Sequence, residues 1–133
     1  MSGSVVVDSS ALVAALCDSG RDGAWAAAEL GHGELAAPEL VMFEATNTLR
    51  RLELGGVIGP AESAAAFADL NAIALHLWPF VALSQRIWEL RSAVTCYAAA
   101  YVALAELLDA PLITLDQRLA RASGPRCEIL VPE

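Results

Sequence analysis

A short apolar run that ends in an acid and leads directly into a helix pattern constrains this chain more than any other feature. Val5–Val7 is a run of three β-branched residues, which is typical of a strand buried on both faces of a parallel sheet. Asp8 follows directly, and either Ser9 or Ser10 can cap a helix over residues 9–17. A carboxylate is therefore expected where a central strand ends, which is where open α/β sheets bind ligands. The alternative is that Asp8 serves only as the helix cap.

The same arrangement recurs near the end of the chain. Residues 111–115 predict a second buried strand, Asp116 follows it, and a helix that includes Arg118 and Arg121 comes next. Carboxylates at the carboxyl ends of parallel strands can converge on one crevice. Asp8 and Asp116 are therefore candidates for a common site.

A third acid, Glu44, lies within an apolar turn of a predicted helix over residues 39–54. A carboxylate among apolar side chains needs a partner, because burying an unpaired charge is costly. Glu44 is thus a candidate for the same crevice. The alternative is a surface glutamate that pairs with an arginine one helical turn further on.

Strands and helices alternate along the chain. Strands are predicted at 4–8, 35–37, 77–80, 111–115 and 127–131, and helices at 9–17, 22–31, 39–54, 60–74, 85–94, 95–106 and after Asp116. Pro79 makes the third strand an edge strand, since proline cannot donate to a sheet ladder. The alternation predicts an α/β fold with a mostly parallel sheet and right-handed crossovers, in a single domain over residues 1–133.

The composition excludes several classes of protein. No apolar run is long enough to span a membrane and no leader pattern opens the chain, so a cytoplasmic protein is expected. Three widely spaced cysteines form no CxxC pair, which favours reduced thiols over a disulfide framework or a zinc site. The net charge of −8 and the absence of lysine argue against binding nucleic acid through a generally positive surface.

The net negative charge of the chain does not exclude a reaction in which the three acids bind a metal ion. Three carboxylates in one crevice repel one another and raise each other's pKa, and a hard divalent cation removes that penalty. Mg²⁺, for which Mn²⁺ can substitute, prefers oxygen ligands and keeps several waters. Metal-assisted hydrolysis of phosphodiester bonds is the natural reaction class for such a site.

Four blocks of the sequence, in order and at the right spacing, resemble PIN-domain proteins, specifically VapC-type toxins of bacterial toxin–antitoxin pairs. The blocks are Val7–Leu12, Glu44 with Asn47 and Leu49–Arg50, Tyr97–Glu106, and Thr114–Leu119. The resemblance covers essentially the full length. It implies a three-layer α/β/α domain with a central sheet of four or five strands. It also implies a Mg²⁺-dependent endoribonuclease that cuts tRNA or ribosomal RNA to leave 5′-phosphate and 3′-hydroxyl ends.

The resemblance also implies partners and site residues. A cognate VapB-type antitoxin inhibits such toxins, and a homodimer is usual. Carried over onto this chain, the metal-site and catalytic acids are Asp8, Glu44 and Asp116. Ser9, Thr114 and Asn47 are candidates for positioning substrate or water; local capping and strand packing are the alternatives for the two hydroxyls.

One departure from the family pattern is serious. The family's helix normally begins with Tyr-Asp-Ala, whereas this chain reads Tyr97-Ala98-Ala99. Ala98 therefore stands where the family has an acidic metal ligand, and the chain is expected to bind Mg²⁺ poorly and to be impaired. Two explanations stay open: a substitution made so that a toxic nuclease could be expressed, or a natural relative of weakened activity.

The same residues exclude two other functions. A response-regulator receiver needs a lysine near its aspartate, and the chain contains none. A dehalogenase-like phosphatase needs an aspartate two residues after its nucleophile, where this chain has Ser10. The open alternative is a PIN-fold module that binds an antitoxin peptide or RNA without cleavage. An apolar groove between helices 39–54 and 60–74 is a candidate for holding an amphipathic antitoxin segment. Candidates for contacts to RNA or a partner chain are Arg50, Arg51, Arg118 and Arg121; the alternative for each is a solvated surface arginine.

Overall fold

The computed structural model describes residues 3–133 and shows five strands and seven α-helices in that range. The strands are β1 (Ser4–Val7), β2 (Glu34–Pro38), β3 (His76–Trp78), β4 (Leu112–Ile113) and β5 (Ile129–Leu130). The helices are α1 (Ser9–Cys17), α2 (Arg21–Leu30), α3 (Leu40–Leu54), α4 (Pro60–Ala72), α5 (Ser84–Glu89), α6 (Cys96–Leu108) and α7 (Gln117–Arg121), with a 3-10 turn over Phe80–Ala82.

The five strands form one parallel sheet in the order β3-β2-β1-β4-β5. Val6 of β1 pairs with Ala36 on one side and with Leu112 on the other, and Val6 and Val7 are completely buried. Helix α1 packs against α2, α3 and α4, whereas α6 packs against α5 and across β1, β2 and β4. The prediction of a three-layer α/β/α fold around a parallel sheet is thus confirmed, with β3 at an edge.

Helix α6 is the most buried helix of the domain. Seven consecutive residues, Ala99–Ala105, are buried, so the helix is covered on all sides rather than along one stripe. Alanine at four of these seven positions lets the helix backbone approach the sheet closely. No helix within residues 3–133 is both long and apolar enough to cross a lipid bilayer.

Several element boundaries differ from the sequence prediction. The helix predicted over 85–94 ends at Glu89, and the next helix starts only at Cys96, because Thr95 takes an extended backbone conformation and caps α6. The strand predicted over 111–115 pairs only over Leu112–Ile113. The chain turns away there because the Thr114 hydroxyl accepts a hydrogen bond from the Asp116 amide.

A part-buried ion pair joins α5 to α6. Arg86 Nε lies 2.6 Å from Glu106 Oε1, and Arg86 Nη2 lies 3.2 Å from Oε2. The Arg126 amide also donates to Glu106 Oε2, at 2.8 Å. Burial raises the pKa of Glu106, but the bonds from Arg86 and Arg126 outweigh it and hold the pKa below its ordinary value of 4.5. Glu106 therefore fastens the segment that precedes β5 to the helix layer.

Glu106→Gln is expected to destabilise the fold by about 1–2 kcal/mol at neutral pH, because charge-assisted hydrogen bonds are lost. Since the folded-state pKa is depressed, the contribution of Glu106 is fully present above its unfolded pKa and is lost as pH falls through the folded value. Thermal unfolding across the acid range should therefore show a flatter acid limb for the variant. Glu89→Gln is the matched control: its contact with Arg86 is 3.3 Å long and half-exposed, so little change is expected. Equal losses in both variants would contradict this account.

Candidate active site

The sheet topology brings two strand ends together at one place. From β1 the chain moves to β2 and β3 on one side of the sheet, and later returns to place β4 on the other side. The carboxyl ends of β1 and β4 are therefore neighbours at the point where the strand order reverses. Asp8 follows β1 directly and Asp116 lies shortly after β4. This is the crevice in which open α/β sheets bind their ligands.

Asp8 is buried, with 8% of its surface exposed, and it is also the N-cap of α1. Its Oδ1 accepts hydrogen bonds from the Ala11 amide at 3.0 Å and from Ser10 Oγ at 2.6 Å. Burial raises the pKa of Asp8 against the opposing effect of these bonds and the one from Thr114, and the charge of Glu44 raises it further. The capping role and a place in the crevice thus coincide in one side chain.

Thr114 connects the ends of the two strands. Its hydroxyl, which is completely buried, donates to Asp8 Oδ2 at 2.5 Å and accepts from the Asp116 amide at 3.0 Å. Asp116 is exposed and caps α7, where its Oδ1 accepts from the amides of Arg118 and Leu119. The other oxygen, Oδ2, has no hydrogen-bond partner among the described residues. Thr114 thus fixes Asp8 and Asp116 relative to each other.

Ser10 is a site residue whose role the sequence analysis missed. The sequence predicts only a helix cap at Ser9 or Ser10, but Asp8 caps the helix and Ser10 lies inside α1. Its hydroxyl donates to Asp8 and accepts from the Leu115 amide at 3.1 Å. A serine two residues after an aspartate that ends a strand is the signal that could have indicated this contact.

Glu44 meets Tyr101 of α6 rather than an arginine. The Tyr101 hydroxyl donates to Glu44 Oε1 at 2.5 Å, and the side chain of Tyr101 is almost completely buried. Burial raises the pKa of Tyr101, and the hydrogen bond to Glu44 and the charges of Glu44 and Asp8 raise it further, whereas a bond with Ser9 lowers it. Tyr101 therefore lies among Glu44, Asp8 and Ser9. The sequence analysis missed this role, although a tyrosine in an alanine-rich buried helix needs a partner for its hydroxyl.

The remaining predicted positions lie on the margins. Asn47 is exposed on α3, one turn after Glu44. Ala98 is half-buried in the first turn of α6, where its amide donates to Thr95 Oγ1 at 3.1 Å. Ala98 and Asp116 line the same open cleft of about 570 Å³, together with Arg91 and Arg118. Position 98 therefore lies beside Asp116 in this cleft, whereas Asp8 and Glu44 do not line it.

The acidic side chains in the described part of the chain offer the oxygen donors that a divalent cation prefers, but there are too few of them to hold one. Carboxylate oxygens are the ligands that Mg²⁺ and Mn²⁺ prefer. Yet no group of three or more His, Cys, Asp and Glu side chains within residues 3–133 is arranged so that it could hold a metal ion. Ala98 offers no oxygen ligand from its side chain, and Tyr101 already binds one oxygen of Glu44. A carboxylate is thus lacking on the wall formed by α6.

Comparison with known proteins identifies the family. The sequence model of the PIN-domain family matches residues 5–125 of the chain. The chain belongs to the PIN-domain family. PIN-domain nucleases of the VapC type generally depend on divalent metal ions.

Curated relatives match this PIN domain over nearly its whole length. VapC ribonuclease Mb0985 from Mycobacterium bovis is 39% identical over 127 residues, which cover 96% of this chain and 97% of the relative. Ribonuclease VapC1 from Mycobacterium tuberculosis is 39% identical over 125 residues, with 93% and 94% covered. Ribonuclease VapC12 from the same species is 34% identical, with 94% and 96% covered. These relatives place the chain among VapC-type PIN domains.

Solved structures show the same fold. PAE2754 from Pyrobaculum aerophilum superposes with a TM-score of 0.68 at 22% identity, over 96% of this chain and 83% of that one. VapBC2 from Rickettsia felis, solved bound to a DNA fragment from its promoter, gives a TM-score of 0.67 at 14% identity, over 96% and 98%. The arrangement of layers is therefore that of known PIN-type structures.

Proposed function

We propose that this chain is an endoribonuclease toxin of a type II toxin–antitoxin pair, built to hydrolyse phosphodiester bonds in tRNA or ribosomal RNA. One observation supports the proposal: Asp8 and Asp116 lie at the neighbouring ends of β1 and β4 and are joined through Thr114, in a PIN domain whose curated relatives are VapC ribonucleases. Metal-dependent hydrolysis suits a site made of carboxylates, because a divalent cation removes the repulsion between them.

Mg²⁺, or Mn²⁺ in its place, would draw its oxygen ligands from Asp8, Glu44 and Asp116, a set that falls short of a full metal site because Ala98 adds no ligand. When bound, the cation supplies positive charge that stabilises the phosphate in the transition state and lowers the pKa of water. Asp8 is kept as an oriented acceptor by Ser10, Thr114 and the Ala11 amide. Because those bonds are already made in the folded chain, the carboxylate needs no reorganisation when its partner arrives.

The walls of the cleft supply the remaining groups. Arg118 lines it next to Asp116, and its guanidinium offers a charge-assisted hydrogen bond to a phosphate oxygen. Ser9, Thr114 and Asn47 are proposed to position substrate or water, with Thr114 acting through the two acids that it contacts. The buried Tyr101 hydroxyl orients Glu44. These side chains bind and orient an RNA phosphate at the switch point.

Ala98 impairs this machinery in the proposed function. It lies on the cleft wall near Asp116 but has no carboxylate, so the cation is held by fewer ligands. Loss of groups that only support metal ligands typically costs about 10- to 100-fold in affinity or activity. Ala98 also favours the second candidate function, a PIN module that binds an antitoxin peptide or RNA without cutting it.

The proposed partners are an inhibitory VapB-type antitoxin and a second copy of the chain, in the cytoplasm. An antitoxin segment with arginines would pair with the acids of the crevice and exclude the cation, since the chain carries a net charge of −8. Helices α3 and α4 pack side by side and expose Phe43 and Phe67, which an amphipathic segment would cover.

The chemistry of the RNA ends tests the reaction class. Purified chain and total tRNA are incubated with Mg²⁺, with Mn²⁺ or with a chelator, and the ends of the products are mapped. Slow cleavage that requires the metal and leaves 5′-phosphate and 3′-hydroxyl ends is expected, because water is the proposed nucleophile. Cyclic 2′,3′-phosphate ends, or equal cleavage with chelator, would contradict metal-dependent hydrolysis.

A further inference from the structure

An aromatic and a cationic side chain form a stacked pair that the proposed chemistry does not use. The guanidinium carbon of Arg91 lies 4.1 Å from the centroid of the Trp88 ring, over its face. Arg91 Nη1 also donates to the carbonyl oxygen of Trp88 at 2.7 Å. No carboxylate among the described residues forms a salt bridge with Arg91. The pair is therefore held in place while the positive charge of Arg91 stays uncompensated.

Trp88 is exposed and does not contribute to the hydrophobic core. The side chain is 63% exposed, whereas its neighbours Ile87 and Leu90 are buried at 6% and 2%. Those two residues thus provide the apolar contacts of this segment, and the indole faces away from them. A large exposed aromatic beside a cation is the composition of surfaces that bind unpaired nucleotides.

The pair adjoins the candidate active site. Arg91 lines the cleft that also contains Ala98, Asp116 and Arg118. Trp88 contacts Arg91 and therefore lies at the margin of that cleft. A chain with a net charge of −8 repels RNA over most of its surface, so local cations at the cleft carry the attraction to phosphate.

We propose that Trp88 and Arg91 form a platform for one unpaired nucleotide of the RNA, next to the phosphodiester bond that lies at the acids. The base stacks on the face of the indole that Arg91 leaves open, and the guanidinium binds the adjoining phosphate. This inference rests on the proposed ribonuclease function and specifies its substrate: RNA that is single-stranded beside the cleavage position. Both residues act as positioning residues, since neither touches the reacting bond.

The test measures binding of a short adenosine oligoribonucleotide and of an RNA duplex of equal length, by fluorescence anisotropy. Trp88→Leu keeps apolar volume without stacking, and Trp88→Phe keeps an aromatic ring. Since base stacking on an aromatic contributes about 1–3 kcal/mol, Trp88→Leu is expected to weaken single-strand binding about 5- to 150-fold. Trp88→Phe should keep most of the affinity, and duplex binding should change little in either variant.

Arg91→Ala is expected to weaken single-strand binding and to reduce its dependence on salt. Phe80→Ala and Arg21→Ala serve as controls, because these residues are an exposed aromatic in the 3-10 turn and an arginine in a different cleft. Neither control should change binding. Single-stranded RNA should also quench tryptophan emission in the parent chain but not in Trp88→Phe, since Trp25 and Trp78 are half-buried.

Three results would overturn the platform. These are unchanged single-strand binding in Trp88→Leu, equal losses in the leucine and phenylalanine variants, and quenching that appears with rising protein concentration without RNA, which would mean that a second copy covers the indole.

Cleavage separates this inference from the proposed function. In an Ala98→Asp background, Trp88→Leu should raise KM with little change in kcat. If Ala98→Asp cleaves RNA and Trp88→Leu alters nothing, only the platform fails. If Ala98→Asp does not cleave but binding follows Trp88, the nuclease proposal fails.

Discussion

Ala98→Asp is expected to raise the rate of metal-dependent RNA cleavage by at least about 10- to 100-fold. The substitution adds a carboxylate to the cleft wall that faces Asp116. Even groups that only support metal ligands contribute about that much to affinity or activity, and a ligand should contribute no less. The measurement is the initial rate on total tRNA at fixed Mg²⁺.

The structure predicts that the variant folds. Position 98 is the third residue of α6, and a negative charge in the first turn of a helix interacts favourably with the helix dipole. Repulsion from the other acids opposes this effect until a cation binds. The melting temperature of Ala98→Asp should therefore rise on addition of Mg²⁺ by more than that of the parent chain.

Ala98→Asn is the matched control for charge. It has nearly the same size as aspartate and can reach the same place, but it brings no negative charge. A gain in cleavage restricted to Ala98→Asp supports a metal ligand at this position. Equal rates for the parent chain and Ala98→Asp would refute the claim that position 98 limits activity.

Asp8→Asn, made in the Ala98→Asp background, is expected to lower cleavage by about 100-fold or more, because it removes the charge closest to the switch point. The fold should survive, since asparagine is as good a helix N-cap as aspartate and can still accept from the Ala11 amide. Burial raises the pKa of Asp8, which means that its charged form destabilises the folded state. Asp8→Asn should therefore not lower the melting temperature at neutral pH.

Asp18→Asn serves as the control for this variant. Asp18 is exposed at the opposite end of the same helix, where its backbone caps α1. It should leave cleavage unchanged. A loss of activity in Asp18→Asn equal to that in Asp8→Asn would show that net charge, and not the crevice, controls the rate. Unaltered cleavage in Asp8→Asn would remove Asp8 from the mechanism.

Local patterns were enough to predict the central strand and the first helix. Val5–Val7 is apolar on both faces, as a strand between two helix layers must be, and Asp8 ends it because its side chain caps the next helix. The early end of α5 was not predictable, because Ile87 and Leu90 continue a helical apolar pattern into residues that form turns. The hydrophobic pattern predicts which segments are buried more reliably than it predicts where each helix or strand ends.

The contacts within the site depend on pairings distant in sequence. The bond from Thr114 to Asp8 spans 106 positions and requires β4 to lie beside β1, which the chain order does not reveal. The bond from Tyr101 to Glu44 spans 57 positions and requires α6 to pass the first turns of α3. The sequence therefore named the acids and Thr114 as candidates, whereas the roles of Ser10 and Tyr101 in orienting the acids emerged only from the fold.

We propose that Asp8, Glu44, Asp116 and position 98 belong to one cation site. Calorimetric titration with Mn²⁺ tests this on the parent chain, on Ala98→Asp, and on Ala98→Asp with Asp8→Asn. One site is expected in Ala98→Asp, with affinity about tenfold or more above that of the parent, and this gain should be lost when Asp8→Asn is added. Equal Mn²⁺ affinity in all three proteins would contradict it.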